Sequence, residues 1–172
     1  MSTLKTERTR VRRIPDRGHY DKKTIYPIID EALYCHVGIN HNGSPVVIPT
    51  IHARINNTLY IHGSAASRLL KSIQGGANLC VTISLIDGIV MARSAFHHSL
   101  NYRSVVVFGK GVIVDNYQEK WDALKAVSDH LVPKRWEDVR EPNQKEMDAT
   151  TVVSISLEEA SAKVRSGPPG DD

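Results

Sequence analysis

LYCHVGINHNGSPVVIPTIHARINNTLYIH, residues 33–62, is the stretch whose reading decides the fold. Leu33, Cys35, Val37 and Ile39 alternate with more polar neighbours, the period-two pattern of a half-buried strand. Asn42-Gly43 is a two-residue hairpin signal, because both residue types accept the positive φ that a type I′ turn requires. Residues 45–55 form a β-branched run, Asn56-Asn57 makes a second turn, and Thr58 to Ile61 returns. The stretch therefore reads as a three-stranded antiparallel meander.

On its N-terminal side, Ile25, Ile28, Ile29, Ala32 and Leu33 fall at helical spacing and give one apolar face. Asp21 or Thr24 caps this helix. Thr24 is preferred, because it leaves Pro27 in the first turn, where a missing N–H costs little. On the C-terminal side, residues 64–74 read as a short helix stopped by Gly75-Gly76. Leu79 to Leu85 alternate as a strand, Asp87-Gly88 marks a turn, and residues 89–95 continue as strand. Residues 96–101 break the pattern. Residues 104–114 form a long β run, with Gly109 and Gly111 marking bends. Tyr117, Trp121, Leu124, Val127 and Leu131 share one face of a long helix that Pro133 ends. Residues 134–148 read as a polar loop, 151–156 as a last strand, and 158–163 as a helical turn. Strands do not alternate one-for-one with helices, which argues against a doubly wound parallel sheet. An antiparallel barrel with covering helices is the architecture expected, with a sandwich as the alternative.

The length of 172 residues suits one domain, with flexible tails expected at 1–12 and 166–172. An apolar fraction of 41% is ordinary for a globular chain. No apolar run is long enough for a membrane helix, and the basic N-terminus lacks the apolar stretch of a secretory signal, so the expectation is a cytoplasmic protein. A net charge of +3 is too mild to imply nucleic acid. The positive charge is local: Lys5, Arg8, Arg10, Arg12, Arg13 and Arg17 crowd one end, as a solvated tail or as arginines folded over an anionic ligand. Cys35 and Cys80 have neither metal nor disulfide spacing and read as buried thiols. The eight histidines have no ligand spacing either, so no metal is expected.

Two segments carry chemistry. Residues 60–71, YIHGSAASRLLK, run from a strand end at His62 through Gly63 into a helix starting near Ser64. Backbone N–H groups at that start, the hydroxyls of Ser64 and Ser67, the fork of Arg68 and the charge of Lys71 suit a phosphate. A plain serine cap with surface cations is the bland alternative. Residues 93–104, RSAFHHSLNYRS, are richer in donors than a turn requires, and suit a polar ligand, a subunit interface or a solvated connection.

At these segments the sequence resembles the pyridoxamine 5′-phosphate oxidase-like FMN-binding proteins, and more narrowly their flavin-nucleotide-binding and nitroimidazole-resistance-type branch. Residues 13–21, 46–50, 59–68, 99–105 and 161–167 carry the likeness, in order along nearly the whole chain. The resemblance implies a six-stranded antiparallel Greek-key split barrel with flanking helices, dimerising with two FMN sites at the interface. It implies that Ile48, Pro49 and Thr50 border the flavin ring, that His62 and Gly63 lie beside it, and that Ser67 and Arg68 hold the phosphate. It also implies that Asn101, Tyr102, Arg103 and Ser104 reach the flavin region, partly from the other subunit, and His98 is counted with them as a candidate flavin contact. Two departures matter: Val47 and His52 stand where true pyridoxamine phosphate oxidases carry basic residues, and their C-terminal substrate-gripping arginine and histidine have no counterpart.

The function expected is therefore that of an FMN-dependent oxidoreductase acting on a small molecule rather than on pyridoxine phosphate, with His62 and Tyr102 as candidates for proton handling or substrate orientation. A flavin-binding module without turnover and a haem-handling split barrel are the alternatives.

Overall fold

The computed structural model describes residues 5–170; the outermost parts of both expected tails, residues 1–4 and 171–172, lie outside them. Eight strands form one antiparallel sheet: β1 (Gly18–His19), β2 (Tyr34–His41), β3 (Ser44–Ile55), β4 (Thr58–Ser64), β5 (Asn78–Val90), β6 (Ser99–Ile113), β7 (Thr150–Ser156) and β8 (Ala160–Arg165). Helices α1 (Lys22–Glu31), α2 (Arg68–Gln74), α3 (Tyr117–Leu131) and α4 (Gln144–Ala149) cover it.

The spatial order is β1-β8-β6-β5-β2-β3-β4-β7, and β6 pairs again with β7. That second pairing closes a ring of six strands, and β8 and β1 extend the sheet beyond it. The strand count of eight thus exceeds the six expected by these two. The expected meander is present as β2-β3-β4. β6 changes neighbour along its length: Tyr102 to Val107 pair with β8, and Gly111 to Ile113 pair with β7. Gly111 sits where α2 presses on the closing strands. A Cβ there would stand 2.6 Å from Val153 Cγ1 and 2.7 Å from Ile73 Cγ2.

The core fills the barrel with Val37, Ile39, Leu59, Ile61, Val81, Ile83, Val105, Val107, Val153 and Ile155, and α1 adds Ile25, Ile28 and Ile29. The cap of α1 is Asp21, not Thr24: Asp21 Oδ1 accepts the Thr24 N–H at 2.8 Å and the Thr24 hydroxyl at 2.9 Å. Pro27 therefore lies inside the helix. Burial of three isoleucines, about 1.5–3 kcal/mol each, outweighs the lost bond and the clash, about 3 kcal/mol. Two histidines satisfy carbonyls at the other end of α1: His52 Nε2 donates to Ile29 at 2.9 Å, and His130 Nε2 donates to Ala32 at 2.7 Å.

Further elements differ from the sequence reading. Asp87-Gly88 is a bulge inside the continuous β5 rather than a turn, because the register shifts between Ile86 and Gly88 and pairing resumes. β5 ends at Val90 and β6 starts at Ser99, so half of the expected break, residues 99–101, is strand, and Ala95–His97 form a 3₁₀ turn. The expected helical turn at 158–163 is largely β8, whose Ala160, Ser161 and Ala162 are buried against β6. The expected loop 134–148 contains a 3₁₀ turn (Arg135–Asp138) and α4, which opens with a reciprocal cap between Asn143 and Glu146. Residues 5–12 lie against the barrel: Thr9 is buried, Arg8 pairs with Glu159 and covers the Phe108 ring, and Val11 N–H donates to Tyr20 at 2.8 Å. Both cysteines are unbridged; Cys35 is buried and Cys80 half-buried.

Candidate functional site

β3 and β4 pair from Ile55↔Thr58 to His52↔Ile61. Beyond that point β3 follows β2, with Thr50↔Cys35 and Ile48↔Val37, while β4 follows β7, with His62↔Val152 and Ser64↔Thr150. The barrel splits here. Ile48, Pro49 and Thr50 stand on one lip of the split, and His62, Gly63 and Ser64 on the other, so the structure brings these two sets of expected residues to one place. Alternation sends Ile61 into the core and His62 to the outer face, beside Tyr60.

α3 lies over that outer face and leaves an open cavity of about 420 Å³ between itself and the sheet. Ile51 and His62 form its floor. Leu124, Val127 and Leu131 of α3 form a wall, and Trp136, Arg140 and Pro142 of the following loop form the rim. The loop is held in place: Trp136 N–H donates to Asp129 at 3.0 Å, its ring meets Trp121 edge-on at 5.4 Å, and Arg140 makes a two-point ion pair with Glu146. That pair, with the Asn143 backbone N–H donating to the same carboxylate at 2.9 Å, holds the Glu146 carboxyl down to about 2. His62 Nδ1 is sealed from solvent with no hydrogen-bond partner among the described residues, and burial lowers the imidazole's pKa. The ring is therefore neutral at pH 7. Beside it the Tyr60 hydroxyl donates to Glu119 at 2.9 Å, and burial first, then this carboxylate, pushes the phenol up to about 12.

α2 begins just beyond β4. Its cap is Ser67, whose hydroxyl accepts the Leu70 N–H at 3.2 Å, so the helix starts three residues later than expected from Ser64. Ser64 instead ends β4, and its hydroxyl accepts the Ala66 N–H at 3.2 Å. Leu69, Leu70 and Ile73 anchor α2 in the core. Arg68 and Lys71 are exposed and make no ion pair among the described residues.

The second candidate segment is elsewhere. Gly111 touches α2, and Ser104 and Asn101 lie seven and ten residues back along β6, about 23–33 Å at a strand's rise. There Arg103 grips two carboxylates, Glu31 at 2.5 and 2.8 Å and Asp87 at 2.7–3.1 Å. Asn101 accepts from Arg165 and donates to the Gly167 carbonyl, Ser104 donates to the Lys163 carbonyl, and His98 donates to Ala92. Tyr102 is half-buried opposite Ile86. Around them Ile86, Ile89, Met91, Phe96 and Leu100 are exposed, Phe96 to 90% and Ile89 to 74%. Within one chain residues 101–104 are thus set well along β6 from its contact with α2 and bordered by an exposed apolar patch.

The cavity's rim residues, Trp136, Arg140 and Glu146, were missed in the sequence because 134–148 reads as polar loop. The signal that could have found them is Pro142-Asn143-x-x-Glu146, a helix start that gives this loop a fixed shape. Among the described residues no helix is long and apolar enough to cross a membrane, and no cluster of metal-ligating side chains occurs.

Comparison with known proteins follows the same lines. The family described as pyridoxamine 5′-phosphate oxidase matches residues 21–164. Among solved structures, the flavocytochrome Anf3 from Azotobacter vinelandii is 41% identical with a TM-score of 0.90, over 97% of this chain and 78% of that one. An FAD and haem binding protein from Mycobacterium smegmatis is 29% identical with a TM-score of 0.86, over 91% and 77%. A putative 5-nitroimidazole antibiotic resistance protein from Bacteroides thetaiotaomicron is 26% identical with a TM-score of 0.72, over 86% of each chain. No curated protein matches the sequence.

Proposed function

Because the chain belongs to the pyridoxamine 5′-phosphate oxidase family, we propose that it is a flavin-binding redox protein that holds FMN between two copies of itself. The observation that carries this reading is the distance between its two donor-rich segments. Residues 64–71 lie at the split, whereas Ser104 and Asn101 stand about 23–33 Å along β6 from Gly111, where that strand meets α2, and are bordered by exposed apolar side chains. A second copy that covers this patch brings its own Asn101, Tyr102 and Ser104 to the first copy's split.

In that arrangement Ser67, Arg68 and Lys71 take the phosphate, and Ile48, Pro49 and Thr50 border the ring. Arg103 keeps its carboxylates and positions β6. Bound flavin supplies hydride and one-electron transfer. The residues bind it, orient it, and through Tyr102 of the second copy offer a hydroxyl for proton handling. The substrate is a small molecule other than pyridoxine phosphate, since Val47 and His52 occupy the positions expected to be basic.

The deciding experiment is the absorbance spectrum of the purified protein, with heat release and identification of the flavin, beside light scattering. Bound FMN in a dimer is the expected result. Released FAD, the flavin named for the Mycobacterium smegmatis relative, overturns the choice of FMN. A flavin-loaded monomer overturns the shared site. Repeated turnover with NADH or NADPH in stopped flow establishes an oxidoreductase, and a single reduction without turnover overturns it. A second prosthetic group, haem, is favoured by the flavocytochrome that is 41% identical over 97% of this chain.

A further inference from the structure

We infer that the cavity beneath α3 is a haem seat and that His62 is the side chain that ligates the iron. The inference rests on the haem reading above and assigns a place and a ligand to it. The cavity's volume of about 420 Å³ falls within the range of small-molecule sites, about 300–1,000 Å³. Its wall is aliphatic and aromatic, from Ile51, Leu124, Val127, Leu131 and Trp136, the surroundings that a flat macrocycle takes. Arg140, the one cation among its lining residues, is held at the rim by its pair with Glu146 and would be the group available to a haem carboxylate.

His62 fits the iron on independent grounds. It is the histidine that lines this cavity, and its Nδ1 is buried with no hydrogen-bond partner among the described residues. With Nδ1 sealed, Nε2 is the ring nitrogen left open to a ligand, and it makes no hydrogen bond among the described residues. Burial also keeps the ring neutral, the form that ligates metals. His52 Nδ1 is unpartnered too, but His52 lies outside the cavity lining and its Nε2 holds the Ile29 carbonyl; His130 holds the Ala32 carbonyl, His41 meets the Ser72 hydroxyl at 3.0 Å, and His98 holds Ala92. Imidazole ligation to a b-type haem is ordinary chemistry for such a pocket. The flavin phosphate groups, Arg68 and Lys71, lie beyond the end of β4, so the two groups need not compete.

The test is haemin titration of the full chain, followed by the Soret band and by electron paramagnetic resonance. The wild type is expected to give a sharp, saturable Soret band. His62→Ala is expected to weaken binding at least tenfold, and added imidazole to restore the ligated spectrum. Leu131→Trp, a change at a partly exposed wall position outside the core, is expected to block haem while flavin content and melting temperature stay at wild-type values. A wild-type Soret band that both variants retain overturns this seat and leaves the haem reading standing. Loss of flavin rather than haem in Leu131→Trp assigns the cavity to the flavin and also overturns it. A wild type without a Soret band overturns the haem reading and the seat together.

Discussion

Arg68 and Arg103 look alike in the sequence, each beside serines in a segment rich in donors. The structure separates them. Arg103 has its fork occupied by Glu31 and Asp87, which raise its pKa through direct hydrogen bonds and tie α1 to the bulge of β5. Arg68 stands at the exposed start of α2, with its fork directed to no carboxylate among the described residues. At one end of the barrel polar groups satisfy one another while apolar side chains face out. At the other, apolar side chains are buried while cations face out. A donor-rich segment is therefore a ligand site only where the chain's own acceptors have not reached it first, and that depends on residues distant in sequence, here Glu31 for Arg103.

The sharpest way to break this contrast is Arg68→Ala. FMN affinity is expected to fall about 10- to 150-fold, the worth of one charge-assisted bond, while riboflavin, which lacks the phosphate, is unaffected. Equal losses for both ligands in fluorescence titration would place Arg68 on the fold or the ring. The position of α2 itself rests on Gly111. Gly111→Ala is expected to cost about 1–3 kcal/mol, since the new methyl meets Val153 and Ile73 in a packed layer. Thermal melting checks it, and an unchanged midpoint would show that α2 yields.

A smaller effect comes from His52, which is fully buried and whose pKa burial lowers from its ordinary 6.5. The folded state takes up this proton less readily than the unfolded chain, so its contribution is complete above about pH 6.5 and is lost as pH falls below it. The melting midpoint should decline from pH 7 to pH 5, and His52→Gln should flatten part of that slope. A slope identical in the variant assigns the acid sensitivity elsewhere. The smallest effect is expected for Arg103→Ala. Its ion pairs are solvent-facing, so stability should fall by no more than about 1 kcal/mol, and flavin affinity should change less than twofold. A loss as large as that of Arg68→Ala would erase the distinction between the two ends.

The meander, α3 and the strand end at 62–64 were legible in the sequence because hairpin turns and side-chain period are local properties, whereas 48–50 were singled out by the family resemblance alone. β8 was not, since Ala160, Ser161 and Ala162 carry no strand pattern and become strand only where β6 offers its edge. Asp87-Gly88 carries a turn's chemistry, yet the ladder on both sides overrides it. The cavity beneath α3 was invisible for a similar reason: His62 and Arg140 are distant in sequence, and only the fold of the loop after α3 sets them around one space.

The pairing of β1 with β8 sets an order of events as the chain leaves the ribosome. Gly18 meets Lys163, and His19 meets Ala162, so the earliest strand to emerge waits for the latest. At about 5–20 residues per second this interval is about 7–29 s. Throughout it Arg8, which pairs with Glu159 in the finished protein, has no partner yet synthesised. The six-strand ring becomes complete first, when β7 arrives, and the outer edge zips afterwards. The nascent barrel thus spends its last moments with one long edge of β6 open, which is the interval in which a chaperone or a second nascent copy has access to it.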